Sequence, residues 1–334
     1  MKLSFSTRGW GDLSWEELVE SALDMKFSGI EVYNLQKFPQ LTGRGGPFHK
    51  HSVAATIRAL RDQKLTVPCF DTSMDLSETN ANAQMIAEVM AYARDARIPY
   101  VVGWASSEKE DMIRANLERL LPLAEELGIC LLIKTSGIYA DTARLRSLLE
   151  SYASDWLGAL WDMHHPYRDF GESADTTIKN LGTYVKHVHL RDSDDQDTYN
   201  LIGEGNMPVA DMMRALSSIN YDGFISLEWK PEWMEDLMDR EVIFPHFVNY
   251  MSRFNSPRTR KKSLYYNHDG SGQYVWKKDD LIDLTFPQVL DRMVEEFPDQ
   301  YAFKYTTLDY TRTYEEFRED VDNFARSLVS MGVR

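Results

Sequence analysis

Four short apolar runs in this 334-residue chain end in, or carry, side chains able to do chemistry. Cys130–Lys134 ends in Lys134, Gly158–Asp162 in Asp162, Val185–Leu190 carries His187 and His189, and Phe224–Glu228 ends in Glu228. In an extended chain alternate residues share a face. Asp162 then faces away from Trp161, and Glu228 away from Leu227 and Trp229, while His187, His189 and Arg191 lie opposite Val188 and Leu190. With the apolar residues turned outward, a carboxylate, an imidazole and a second carboxylate converge, a set suited to a hard or borderline divalent ion. Taken singly, each has a plainer explanation. A strand-end Asp or Glu is about as often a helix cap or ion-pair partner, and paired histidines such as His164-His165 serve as polar filling. Four consecutive strands ending this way on matching parity favour a site.

Eight apolar runs position these residues: Leu3–Ser6, Gly29–Tyr33, Leu65–Phe70, Tyr100–Trp104, Cys130–Lys134, Gly158–Asp162, Val185–Leu190 and Phe224–Glu228. Amphipathic helical patterns separate them. Ser14 and Glu17 form a capping box at the start of one, and Gly128 stops another. Eight βα units in about 250 residues predict an α/β fold, a (β/α)8 barrel with its active site at the C-terminal strand ends. A doubly wound open sheet is the competitor, but no glycine-rich phosphate loop follows the first strand.

Composition limits the partners. Lys and Arg total 37 against 52 Asp and Glu, a net charge of −15, so the chain lacks the positive footprint that nucleic acid and anionic membranes require. The only cysteines, Cys69 and Cys130, argue against a disulfide framework and for a reducing compartment. Met1–Arg8 lacks a signal-peptide core, and no run approaches the roughly 18–20 apolar residues of a membrane span. A cytoplasmic protein is expected.

Near residue 255 the pattern breaks. The polar, basic stretch Asn255–Lys262 and the turn-forming Asn267–Gly272 predict a solvated linker over 255–279. Beyond it, Phe286–Phe297 and Tyr314–Met331 show helical spacing, around one short extended segment. This α+β piece is too small to bury an independent core.

Residues 1–254 resemble the xylose isomerase-like TIM barrels, the sugar phosphate isomerase/epimerase group. The most specific stretches are Trp161-Asp162-Met163-His164-His165, Lys186–Asp192, Ile202-Gly203-Glu204-Gly205-Asn206 and Tyr221–Glu228. The resemblance implies a divalent ion, Mn, Mg, Zn or Co, held by a Glu, an Asp, a His and a Glu from strands five to eight. Asp162, His189 and Glu228 match the last three, and His165 matches a histidine that contacts the sugar oxygens. It also implies a small carbohydrate or polyol-type substrate, and proton movement by carboxylates through an enediolate that the cation stabilises.

One position departs from the family. Lys134 stands where the first metal-ligand Glu belongs. A protonated ammonium cannot ligate a metal, and two carboxylates beside it favour the protonated form. Lys134 is therefore expected to take the cation's place, pairing with Asp162 and Glu228. A second role, as base or Schiff-base former, requires a depressed pKa that those carboxylates oppose. Six residues further on, where epimerase-like members often carry a second acid, this chain has Ala140, flanked by Tyr139 and Asp141. Lys134, His165 and Glu228 are thus the catalytic candidates, and His165, Arg191, Glu31 and Trp104 the substrate-binding ones. Asn34 and Asp71 also end strands. Arg8, His49, His51, Arg191 and Lys230 could meet an anionic group, and Trp10, Trp229 and Trp233 could wall a sugar ring or simply pack.

Residues 280–334 carry a separate resemblance, to the opening of an AMP-forming acyl-CoA synthetase/ligase. Its elements are Leu284–Leu290, Phe297–Phe303, Arg312–Phe317 and Phe324–Val333. In that family the ATP-binding parts lie further along, so the resemblance implies a barrel fused to a downstream ligase domain and no ligase activity from these residues alone. A non-catalytic barrel that binds a carbohydrate or scaffolds the ligase is the alternative to an isomerase.

Overall fold

The structure, a computed structural model, describes residues 1–195, 198–234, 239–255, 284–305 and 310–333. Two compact units divide the chain: Met1–Met213 with Asp222–Asn255, and Arg214–Tyr221 with Ser256–Arg334. The linker expected at 255–279 lies, but for Asn255, outside the described residues.

The first unit contains a closed eight-stranded parallel barrel. Its strands are β1 (Lys2–Ser6), β2 (Gly29–Tyr33), β3 (Cys69–Asp75), β4 (Tyr100–Ala105), β5 (Cys130–Gly137), β6 (Leu157–Asp162), β7 (Val185–Leu190) and β8 (Phe224–Leu227). Each pairs with its sequence neighbours, and β1 closes the ring against β8. Helices return the chain between strands. Trp15–Asp24 opens with the expected capping box, in which Glu17 N–H donates to Ser14 Oγ at 3.2 Å and Ser14 N–H to Glu17 Oε2 at 2.8 Å. Glu110–Leu127 ends at Gly128, whose φ of +68° a glycine adopts without strain. No described helix is long and apolar enough to cross a membrane.

The third strand differs from the expectation of Leu65–Phe70. Pro68 has no N–H for a ladder, so the apolar run before it contributes only an isolated bridge between Thr66 and Gly29, and β3 starts at Cys69. Asp71 is therefore inside the strand rather than at its end. β5 also runs past Lys134. Its register with β4 slips between the Gly103–Ile133 and Ala105–Gly137 pairs, close to Lys134. Gly137 closes this irregular stretch at φ +58°, and a Cβ there would meet Ala105 O at 2.1 Å.

Strand parity divides the barrel interior. Cys69, Val102, Cys130, Leu132 and Leu160 form a buried apolar cluster. On β5 and β6 the next inward positions are Lys134 and Asp162, so the ionic site rests on an apolar floor. The facing side of the barrel is polar instead, with Ser4, Ser226, His187 and Glu31 all buried. The two cysteines are free buried thiols.

In the second unit, Phe286–Glu296 and Tyr314–Ser330 are helical, and Tyr301–Tyr305 pairs antiparallel with Tyr310–Thr313. Thr313 and Glu316 form a capping box on the second helix. Within 284–333 the described buried side chains are Leu290, Phe297 and Gln300, while Phe286, Phe324, Val329 and Met331 are exposed.

Candidate active site

Lys134, Asp162, His189 and Glu228 meet at the C-terminal end of the strands. Lys134 Nζ lies 3.1 Å from Glu228 Oε1 and 3.4 Å from Asp162 Oδ2. Burial alone would lower the ammonium's pKa, but Glu228, Asp162 and Asp71 outweigh it and hold the group above the ordinary lysine value. Arg191 NH2 stands 3.1 Å from Asp162 Oδ2, and its NH1 pairs with Glu228 Oε2. Arg8, at the end of β1, pairs with Glu228 Oε1. Two fully buried carboxylates thus share three cations. Burial pushes both carboxyl groups up, but Lys134, Arg191 and Arg8 hold Glu228 well below its usual range, and Arg191, His165 and Lys134 do the same for Asp162.

Local backbone contacts fix these groups. Asp162 N–H donates to Thr135 Oγ1 at 2.9 Å, and that hydroxyl donates to Asp162 O at 3.1 Å, tying β6 to the residue after Lys134. Asp162 Oδ1 accepts from His164 N–H at 3.1 Å. Glu228 lies one residue past β8, with its N–H on Leu190 O at 3.1 Å.

A second cluster adjoins the first. Glu31 Oε2 accepts from His187 Nε2 at 2.7 Å and from His189 Nε2 at 2.8 Å. Ser226 Oγ is 3.0 Å from His187 Nε2 and 2.7 Å from Ser4 Oγ. With Nε2–H of His189 committed to Glu31, its Nδ1 faces Glu228 Oε2 at 3.9 Å and has no hydrogen-bond partner among the described residues. Burial lowers the pKa of both rings. It prevails at His187, whereas Glu31 and Glu228 hold His189 above the ordinary histidine value.

His165 lies at the rim. A guanidinium only donates, so Arg191 NH2, 2.8 Å from His165 Nε2, fixes that nitrogen as the acceptor. The proton is then on Nδ1, 3.0 Å from Asp169 Oδ2. The ring is thus oriented from one side by Asp169 and from the other by Arg191. Sequence reasoning missed Asp169, although its place one turn after His165 on the same helix was a readable signal.

The other candidates divide. Glu31 is brought to the centre, held by two histidines and fully buried, rather than open to a ligand. Trp104 Nε1 donates to Ser73 O at 3.3 Å rather than to any member of the cluster. Asp141 caps the helix Thr142–Tyr152, accepting from Ala143 N–H at 3.1 Å and Arg144 N–H at 3.2 Å, which accounts for its carboxylate without a catalytic role. Tyr139 is buried beside it, its phenol pushed up to about 12 by that burial. The rings of His49 and His51 lie tilted against each other with centroids 5.2 Å apart. Trp10 packs on Phe244 at 5.2 Å and Trp229 is buried, whereas Trp233 stacks on Tyr199 at 4.0 Å near the opening. Arg8 was one of several possible anion contacts in the sequence; its ion pair with Glu228 depends on β1 closing against β8.

Asp162, His189 and Glu228 place one ligand atom each within 4.8 Å of one another, a possible metal-holding set, and Glu31, His187 and His189 do the same. The unpartnered His189 Nδ1 fits a cation in the first set. The fourth position supplies the Lys134 ammonium, which donates to Glu228 Oε1 and stands 3.4 Å from Asp162 Oδ2, an oxygen with no hydrogen-bond partner among the described residues. An ammonium has no lone pair to give, so the four positions do not make up a four-donor set.

Known proteins share this architecture. An uncharacterized protein of Methanocaldococcus jannaschii is 28% identical over 178 residues, 51% of this chain and 58% of the relative. Fructoselysine 3-epimerase of Escherichia coli O157:H7 is 28% identical over 127 residues, 36% of this chain and 46% of that enzyme. The chain spans about half the length of these curated relatives. Among solved structures, D-psicose 3-epimerase superposes with a TM-score of 0.62 at 15% identity, covering 76% of this chain and 99% of the other. L-ribulose 3-epimerase superposes at 0.59 and 15% identity, over 77% and 99%. At such identity these likenesses speak for the fold alone. The sequence pattern of the family described as xylose isomerase-like TIM barrel matches residues 19–244, which is well over half of the sequence. The barrel, its parallel order and this match agree: the chain belongs to the xylose isomerase-like TIM barrel family.

Proposed function

We propose that the barrel is a sugar isomerase or epimerase in which the Lys134 ammonium does the work of the divalent ion. The observation that carries this reading is the position of Lys134 Nζ, 3.1 and 3.4 Å from the two carboxylates expected to be ligands. A base removes the proton on the carbon next to a substrate carbonyl. The electron pair moves onto the carbonyl oxygen. The proton then returns to the opposite face of the same carbon, restoring the carbonyl, or to the former carbonyl carbon. In the second case the hydroxyl on the deprotonated carbon passes its proton to the oxyanion and becomes the new carbonyl. Lys134 and Arg191 stabilise the oxyanion as it forms. His165, oriented by Asp169, and Glu228 carry the proton. Glu228 acts only once substrate oxygens draw Arg8 and Arg191 away from it, because those partners hold its proton affinity down. Glu31 keeps the His189 ring in place, and Trp104 is left with a role at the rim.

Incubation with ketoses in deuterium oxide tests this directly. Deuterium entering a carbon next to the carbonyl is expected, with loss in His165→Ala. No exchange across a panel of ketoses and their phosphates would leave a binding barrel. That second reading draws on the same ion pairs, since carboxylates held by three cations are weak bases. The tail resemblance supports a fusion in which the barrel serves an adjoining AMP-forming ligase domain, and the acidic charge supports small molecules rather than nucleic acid or membrane as partners.

A further inference from the structure

The opening of the barrel places a further cation, Lys230, beside the ionic centre. A cleft of about 440 Å³ is lined by Arg8, Tyr33, Lys230, Glu232 and Trp233. Gly9 brings its two cations together. A Cβ at Gly9 would meet Trp229 O at 2.4 Å, Pro231 Cδ at 2.9 Å and Lys230 Cα at 3.1 Å, so the segment after Glu228 lies directly against the end of β1. Arg8 sits over Tyr33 at 5.2 Å and Lys230 Nζ over Trp233 at 5.7 Å, each cation braced on a ring.

Arg8, Lys134 and Arg191 share the two carboxylates Asp162 and Glu228, and the buried Asp71 adds a third negative charge that acts on Arg8 and Lys134. Glu31 is engaged by His187 and His189. Lys230 is half-buried and makes no salt bridge among the described residues; Glu228 and the exposed Glu232 favour its charge only at longer range, against Arg8 and Arg191. A half-buried cation beside an arginine whose carboxylate is already shared favours an anion.

The geometry points to an oxyanion subsite at this opening: Lys230 and Arg8 receive the phosphate or carboxylate of a small substrate, with Tyr33 and Trp233 as its walls. The inference rests on the reading of the barrel as a site for a sugar-type substrate, and it narrows that substrate to an anionic one. A phosphate and a carboxylate share the chemistry needed, charge-assisted hydrogen bonds from an ammonium and a guanidinium.

Calorimetric titration with D-fructose, D-fructose 6-phosphate and D-glucuronate at low ionic strength tests it. At least one of the two anions should bind about tenfold or more tightly than D-fructose, the scale of one charge-assisted hydrogen bond. Whichever anion binds more tightly identifies the group. That preference should fall to about twofold or less in Lys230→Met, return in Lys230→Arg, and shrink in the unmodified protein as salt is added. The inference is overturned if neither anion outbinds D-fructose, or if the preference is the same in Lys230→Met and insensitive to salt. Deuterium exchange reports separately on the isomerase reading, so anion preference without exchange removes only that reading.

Discussion

Lys134 Nζ stands 3.1 Å from Glu228 Oε1, joining the fifth strand to the residue that follows the eighth. Both groups are buried, and the charges of Asp162, Arg191 and Arg8 converge on the same place. Removing one partner of such a set leaves charge buried without compensation, which costs more than the pair itself contributes. Lys134→Met is expected to lower stability by about 3–5 kcal/mol in urea denaturation. A loss under about 1 kcal/mol would mean that Asp162 and Glu228 do not depend on the ammonium.

Acid should weaken the fold from two directions. Burial, then Arg191, lowers the pKa of His164 from 6.5 to about 4. A depressed histidine stabilises the fold fully above its unfolded value, and that contribution is lost as pH falls from about 6.5 through about 4. The shift corresponds to about 3 kcal/mol. Glu31, Asp162 and Glu228 are also depressed, so their contribution disappears below the ordinary carboxylate range. Lys134 is raised and loses its contribution only above the ordinary lysine value. The raised His189 opposes this loss between pH 7 and 5.5 while the lowered His187 adds to it, so unfolding free energy should fall most clearly from pH 5.5 to 4, and no fall over that step would contradict these assignments.

Asp141 should matter to its helix and not to catalysis. Its carboxylate accepts from Ala143 and Arg144 at the start of Thr142–Tyr152, so Asp141→Ala should cost about 1 kcal/mol. Exchange of deuterium into a ketose by the folded variant should match that of the parent. A large selective loss of exchange at unchanged stability would return Asp141 to the proton relay.

Glu31→Gln tests the second cluster. The amide keeps the volume but removes the charge that both imidazoles donate to, and a destabilisation of about 2 kcal/mol is expected. A thermal midpoint within a degree of the parent would show that His187 and His189 are held by other contacts.

Much of this site could be read from residue type and strand parity. Asp162, His189 and Glu228 fall on matching inward positions, and Lys134 announces itself as a charge reversal among them. What parity could not supply was closure. Glu31 meets His187 and His189, and Arg8 meets Glu228, across strands distant in sequence, and only the completed ring makes them neighbours. The third strand starts later than its apolar run suggests, because Pro68 interrupts the donors a ladder needs. Trp104 ends an inward run, but its indole is taken up by Ser73, a contact that depends on an irregular register between β3 and β4.

Whether Lys134 stands in the place of a divalent ion is read from the metal content of the purified protein. Elemental analysis should compare the parent with Lys134→Glu after equal exposure to Mn²⁺ or Zn²⁺. Essentially no bound metal is expected in the parent and about one ion per chain in the variant, whose four donors would then include two glutamates, an aspartate and a histidine. A stoichiometric ion in the parent, with Asp162, His189 and Glu228 as its ligands, would contradict it.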